Sequence, residues 1–310
     1  MKNKDEPVAE ANFTYWVQDT HSMRRNAFDE NKVHALFDHR HKASALLIAG
    51  LRALEQDLPE PDRLFHDPVA KAVAGNHGML LAKRFCIEAP QIQPVVAART
   101  KHLDDLLGAF HCGHPCQVVS IGAGLDSRIY RVELPKGSKV FDLDLPIMFH
   151  RRREVLASLP IPCNVKRIEV PIDLREHDVS DAIADTVWFV PAAPTLVIWE
   201  GGSMYFDADD NRRIRSSVAK LIQNPKSRFW MDYVHSSVVD GTSEFPVVQR
   251  FMQAMRSLGE PFITGFADIS HDFAKCGLTV EETVPSSVYL NTPDPVFEVY
   301  RFCVAKAANV

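Results

Sequence analysis

Gln117-Val118-Val119-Ser120-Ile121-Gly122-Ala123-Gly124-Leu125-Asp126-Ser127-Arg128 is the stretch whose reading decides the fold. An apolar run enters two glycines and then an acid. The run reads as a buried strand, and the glycines as the tight turn that ends it ahead of a helix. Glycine suits the turn because its backbone angles exclude a Cβ and because a ligand can approach where no side chain intervenes. Helix amides past the turn would point at whatever lies above the strand.

Outward from there, Lys139-Val140-Phe141-Asp142-Leu143-Asp144-Leu145-Pro146 reads as the second strand. It ends in carboxylates about 20 residues beyond the glycines, the spacing at which a doubly wound fold sets an acid on a ribose hydroxyl pair. Two ligand classes share that geometry: nicotinamide or flavin dinucleotides, and S-adenosyl-L-methionine (SAM). The dinucleotide fingerprint needs a third glycine where this chain has Ser127, preceded by Asp126. A carboxylate in the turn would repel a pyrophosphate but tolerate a sulfonium ligand that carries an ammonium group.

Three further strands follow: 166–173, the near-continuous apolar run Thr195-Leu196-Val197-Ile198-Trp199-Glu200, and 227–233. Four successive strands thus end in an acid, at Asp144, Asp173, Glu200 and Asp232. In open α/β sheets, ligands lie outside the carboxyl ends of the strands. Residues 278–284 and 296–304 read as a closing antiparallel pair. The expected fold is therefore α/β, a doubly wound sheet of seven strands with the last pair antiparallel.

Helices are expected over 43–54, 93–110, 245–258 and 269–276, the last closed by Gly277. On the first, Arg52 and Glu55 read as outward-facing. Asp67 and Pro68 read as the cap and first residue of another helix. Arg99 has two readings, a surface residue or a fork that grips a carboxylate above the strand ends. His150-Arg151-Arg152-Arg153-Glu154 starts a helix, and four consecutive positions cover all its sides, so its charge reads as solvated. Residues 1–41 form an N-terminal arm or lid rich in aromatics, and 42–310 a single domain with a helical insertion at about 236–268.

Composition narrows the function. The chain has 310 residues, 46% hydrophobic, enough for one large domain without staples. A net charge of -5 gives no electrostatic reason to expect a nucleic-acid partner. No apolar run approaches the roughly 20 residues of a membrane span, and the N-terminus lacks an apolar signal segment, so a cytoplasmic location is expected. The six cysteines show no disulfide framework. His111-Cys112-Gly113-His114-Pro115-Cys116 lacks a second ligand pair nearby, so no metal is expected.

Taken together, Val119 to Arg128, Phe141 to Pro146, Ile172-Asp173-Leu174-Arg175 and Trp199-Glu200-Gly201-Gly202-Ser203-Met204-Tyr205-Phe206 resemble the SAM-dependent leucine carboxyl methyltransferase family. That family includes phosphatase C-terminal methyltransferases and tetracenomycin-type polyketide O-methyltransferases. Leu64-Phe65-His66-Asp67-Pro68 and Arg99-Thr100-Lys101 also fit its pattern, and the likeness runs from about 42 to 306. The resemblance implies a class I SAM-dependent methyltransferase fold with an N-terminal helical cap. It implies Arg99 on the methionine carboxylate, Gly122 under the methionine part, Gly124 as a further cofactor-binding residue and Asp144 on the ribose hydroxyls. Asp173 and Leu174 would read the adenine, and Glu200 would meet the SAM amino group. Lys42 is a candidate for a basic residue that some members supply from the N-terminal region. Trp199 and the pair Gly202-Ser203 depart from the family pattern, which bears on pocket shape and acceptor.

The expected activity is O-methyl transfer from SAM to a carboxylate or hydroxyl of a small, polyketide-like acceptor. A protein C-terminus, a dinucleotide-dependent oxidoreductase and a non-catalytic SAM-binding protein are the alternatives. A carboxylate acceptor is already ionised at pH 7. A hydroxyl would want a base, for which His235 is the candidate, and Tyr205 is a candidate for lining the acceptor pocket.

Overall fold

The computed structural model describes residues 44–309 apart from 158, 160–164, 258 and 260. The expected arm over 1–41 and Lys42 lie outside the described residues. The chain begins with helix α1 (44–55), α2 (Ala70–Glu88), which kinks at Gly75, and α3 (Ile92–His111). Alternating elements follow: β1 (Gln117–Ile121), β2 (Lys139–Asp144), α4 (Pro146–Leu156), β3 (Lys166–Pro171), α5 (Val179–Ala184) and β4 (Thr195–Trp199). Next come α6 (Ala208–Leu221), β5 (Arg228–Val234), α7 (Ser236–Val239), α8 (Pro246–Ser257) and α9 (Ile269–Ala274). The chain closes with β6 (Leu278–Pro285), α10 (Pro295–Val299) and β7 (Tyr300–Ala307).

The strands form one seven-stranded sheet in the order β3-β2-β1-β4-β5-β7-β6. β7 runs antiparallel to both its neighbours and the other pairs are parallel. The order reverses between β1 and β4, which opens a crevice above their carboxyl ends. Every residue of β1 and β4 is buried. Their alternating side chains feed two separate cores, which is why neither run alternates with polar residues. Val118, Leu196 and Ile198 pack with α1 and α3 through Leu51, Val95 and Leu103. Val119, Val197 and Trp199 pack on the other face with Ile183, Ile214 and Phe273. Each large side chain fully buried in these layers contributes roughly 1.5–3 kcal/mol.

Several expectations are corrected. The turn after β1 leads to a single 3-10 turn, Arg128–Tyr130, in place of an α-helix. The Gly122 and Ala123 amides both donate to the Leu143 carbonyl, at 2.8 and 3.0 Å, so the loop folds down onto β2. Gly122 and Gly124 take φ of 66° and 49°, a region that disfavours any Cβ. The expected strand over 296–304 starts only at Tyr300. Asp294 accepts from the Val296 amide and Pro295 sits in the first turn, so a short helix wins over the β-branched residues. α2 begins at Ala70 rather than at Pro68; Asp67 Oδ1 accepts from the Val69 amide in the turn leading into it, while Oδ2 faces buried arginines. Arg52 and Glu55 face inward, at 4% and 2% exposure. In the basic run on α4, Arg152 is buried against Asp142 while Arg153 is exposed on Glu169.

The segment between β5 and α9 is closed at its base by a bridge between His235 and Phe266. Gly265 makes that closure fit, since a Cβ there would sit 2.8 Å from Ser236 Cα. Among the described residues no helix is long and apolar enough to cross a membrane. The His111–Cys116 segment starts at the last residue of α3 and continues as the loop into β1, where Cys112 takes φ 45° and the Gly113 amide donates to His111 Nδ1.

Candidate functional site

The crevice above β1 and β4 holds a cavity of about 460 Å³, within the range of small-molecule sites. Its floor is the loop Gly122–Asp126, the end of β2 at Asp144, the turn Ile172–Arg175 and the turn Trp199–Phe206. α1 roofs it through Ser44, Ala45, Ile48 and Arg52, spaced to share one helix face. Arg99 from α3, Met255 from α8, Phe262 and Tyr300 complete the wall.

One part of this wall is ionic. Arg99 Nε lies 3.0 Å from Glu200 Oε1, and its Nη1 lies 3.3 Å from Asp232 and donates to the Tyr300 hydroxyl at 3.2 Å. Arg128 reaches Asp104, Asp126 and Glu200 at 3.0, 2.6 and 2.7 Å. Glu200 therefore sits between two guanidinium groups. Burial alone would raise its pKa, but Arg99 and Arg128 outweigh burial and hold it at about 2. The same exchange lowers Asp126, against burial, through Arg128, Arg131 and Arg52. Asp144 differs. Burial raises its pKa to about 6, although the Gly124 and Leu145 amides donate to its two oxygens at 2.7 and 2.8 Å. No cation pairs with it among the described residues.

The opposite part is apolar. Ile48, Ile92, Met204, Tyr205, Met255 and Phe262 line it, with Tyr205 edge-on to Phe262 at 5.5 Å between ring centres. No histidine, lysine or cysteine lines the cavity among the described residues.

The structure brings Arg99, Gly122, Gly124, Asp144, Asp173, Leu174, Glu200 and Tyr205 to this one cavity. Arg99 is buried rather than a surface residue, paired with Glu200 and Asp232. Asp232 does not end its strand; it is buried within β5, behind the cavity wall, where its Oδ1 accepts from the Gly201 amide at 2.7 Å. His235 does not line the cavity. Its Nδ1 accepts from the Ser237 amide and pairs with the Ser237 hydroxyl at 2.8 Å, so the ring caps α7.

Sequence reasoning missed Arg52, Asp104 and Tyr300, and left Arg128 without a role. The signal for Arg128 was its place in the glycine motif. Tyr300 had none, because the chain brings it to Arg99 from 201 residues away. The departures at Trp199 and Gly202 explain each other. The Trp199 indole fills the space above residue 202, where a Cβ would lie 2.2 Å from Nε1. A branched residue at 202 and tryptophan at 199 exclude one another.

Comparison with known proteins agrees with this geometry. The family model described as leucine carboxyl methyltransferase matches residues 45–219, more than half of the chain. A protein of Mycolicibacterium smegmatis, provisionally named an S-adenosyl-L-methionine-dependent methyltransferase, is 29% identical over 79% of this chain and 85% of its own length. A similarly named Parafrankia protein is 36% identical over 61% of this chain and 62% of its own length. In three dimensions the fold is similar to a provisionally named methyltransferase from Thermobifida fusca, with TM-score 0.53 and 17% identity over 80% of this chain and 97% of that one. The order of motifs, the seven-stranded sheet with its reversed β7 and the match to the family model lead to one assignment: the chain belongs to the leucine carboxyl methyltransferase family.

Proposed function

We propose that this SAM-dependent methyltransferase forms a methyl ester on the carboxylate of an apolar small molecule. The observation that carries the proposal is the distribution of ionisable groups around the cavity. A hydroxyl acceptor, with an ordinary pKa near 10 for a phenol, wants a base with a pKa near the working pH. Glu200, at about 2 between two arginines, is too weak a base, and Asp144 is committed to two amides. No histidine or lysine lines the wall among the described residues. A carboxylate needs no base, and an apolar half-cavity favours an acceptor with an apolar body.

The residues present fit SAM. The guanidinium groups of Arg52 and Arg99 in the lining and the bare glycine floor are the features expected under an anionic amino-acid tail. In this proposal Arg99 and Glu200 hold the carboxylate and ammonium of that tail, Gly122 and Gly124 lie beneath it and Asp144 accepts the ribose hydroxyls. Asp173 and Leu174 flank the adenine. When bound, SAM supplies an electrophilic methyl group on a sulfonium. The chain's own contribution is orientation and exclusion of water, through the α1 roof and the Met204, Tyr205 and Phe262 wall. Ion pairing fixes the Glu200 carboxylate in place, so no reorganisation is needed when a cation arrives.

The test is transfer of labelled methyl from SAM to matched acceptors: apolar carboxylic acids, the corresponding alcohols, phenols, and peptides ending in a free carboxylate. Label in a base-labile ester of an apolar acid supports the reading. Label in phenols or alcohols with the acids inert refutes the carboxylate assignment, and label in peptides alone favours a protein acceptor.

A further inference from the structure

We propose that Arg52, on α1, is a second guanidinium for the carboxylate of the SAM amino-acid tail, acting beside Arg99. The inference rests on the SAM-dependent reading of the cavity and adds a residue to it.

Arg52 lines the cavity and is 4% exposed. A buried guanidinium is normally matched by carboxylates in close, two-pronged contact. Arg99, Arg128 and Arg131 meet that rule, each with a carboxylate at 3.0 Å or nearer. Arg52 does not. Among the described residues its nearest carboxylate is Asp67, 3.8 Å from Nε, and that oxygen also serves Arg131 at 3.2 Å and the Ser127 hydroxyl at 2.6 Å. Its Nη2 donates to the Leu125 carbonyl at 2.8 Å, and its Nε, like that of Arg99, has no hydrogen-bond partner among the described residues; unlike Arg99, it has no close carboxylate there to compensate. Burial, followed by the neighbouring Arg131, depresses its pKa, in contrast with the raised values of Arg99 and Arg128. Asp67, Asp126 and Glu200 offset this only in part, so among the described residues the cation has no carboxylate of its own in close contact.

The fold says where a matching anion would lie. The Leu125 carbonyl belongs to the glycine loop, so Arg52 is anchored to the cavity floor from the roof above it. On α1 it follows Ser44, Ala45 and Ile48 along the cavity-facing side, with Ala45 Cβ 3.7 Å from where a Cβ on Gly124 would stand. The anionic part of SAM is its α-carboxylate, and the proposed binding mode sets that group over the glycine loop. With Arg99 already shared among Glu200, Asp232 and Tyr300, a second donor completes the grip.

The experiment compares two ligands by calorimetric titration of the full chain. S-adenosyl-homocysteine carries the amino-acid tail; 5′-methylthioadenosine carries the same nucleoside without it. For Arg52→Gln the expected result is a loss of about 10- to 100-fold in affinity for S-adenosyl-homocysteine, the size of a lost hydrogen bond to a charged group. Affinity for 5′-methylthioadenosine should stay within about twofold. Arg52→Lys should recover part of the loss while keeping the charge. Equal weakening of both ligands, or no weakening of either, overturns the proposal and leaves Arg52 as a brace for the loop. If Arg52→Gln does not fold, the ratio of the two affinities in Arg52→Lys decides by the same criterion. Failure of the wild-type chain to bind S-adenosyl-homocysteine refutes the SAM reading itself, a separate outcome.

Discussion

Asp144 offers the most quantitative consequence of the site. Its carboxyl is half-buried, receives two backbone amides and faces no cation among the described residues. Burial therefore lifts its pKa from the ordinary 3.8 to about 6. Between those values the folded chain holds a proton that the unfolded chain has released. Stability then falls as pH rises through that window, because the unfolded state binds fewer protons. At about 1.4 kcal/mol per pH unit, the full difference is about 3 kcal/mol, and water reaching the open side of the carboxyl trims it to roughly 2. SAM acts in the opposite direction. Ribose hydroxyls donating to Asp144 favour the ionised form and draw its pKa down. Binding should release about half a proton near pH 6 and close to one near pH 5, and SAM affinity should be about tenfold weaker at pH 5 than at pH 7. Asp144→Asn removes the titrating group. Its unfolding free energy, measured in urea across pH 4 to 7, should lack the roughly 2 kcal/mol decline of the wild type. Its SAM affinity should be low and flat with pH. A wild type whose SAM affinity is level between pH 5 and 7, with no proton release in buffers of different ionisation enthalpy, would refute the assignment of Asp144 to the ribose.

Three further predictions follow from named contacts. Gly202→Ala pushes a methyl into the Trp199 indole and should cost about 1–3 kcal/mol in unfolding free energy, with changed Trp199 fluorescence; an unaltered spectrum and stability would mean the two residues are not coupled. His235→Ala should keep methyl-transfer turnover within about twofold, while losing roughly 0.5–2 kcal/mol of stability through the α7 cap. A collapse of turnover with normal stability would reinstate His235 as a base. Tyr300→Phe removes the hydroxyl that donates to Asp232 and accepts from Arg99, and should lower stability by about 1–3 kcal/mol in urea unfolding. A neutral result would show that Asp232 and Arg99 satisfy one another without it.

The parts of the fold that could be read early are those coded locally. β1 and β4 are buried along their whole length because both faces of the central strands are covered, and the glycines after β1 are demanded by positive φ. The acids Asp144, Asp173 and Glu200 were placed by their position at or just past a strand end. What stayed hidden depends on pairing over distance. An amphipathic pattern shows which face of α1 is apolar, and Arg52 and Glu55 then count as outward. Arg52 is instead tied to Leu125, 73 residues on, and Glu55 accepts from the Leu64 amide and the Gln93 side chain. Arg128 is drawn inward by Asp104 and Glu200, neither of them near it in sequence. The helix expected after the glycine turn is missing because backbone amides of the loop bond to Leu143 on the adjacent strand, a contact set by sheet register. At α10 the signal was present, in Asp294 followed by Pro295, but the valines around it suggested a strand.

The central claim is that the strand-end carboxylates and buried arginines form one site for a sulfonium nucleoside. Equilibrium dialysis of the 310-residue chain with labelled SAM, with S-adenosyl-homocysteine and NAD as competitors, tests it most directly. The account predicts saturable binding of about one SAM per chain at micromolar strength, displaced by S-adenosyl-homocysteine and unaffected by NAD. No saturable binding, or displacement by NAD at comparable concentration, would contradict it.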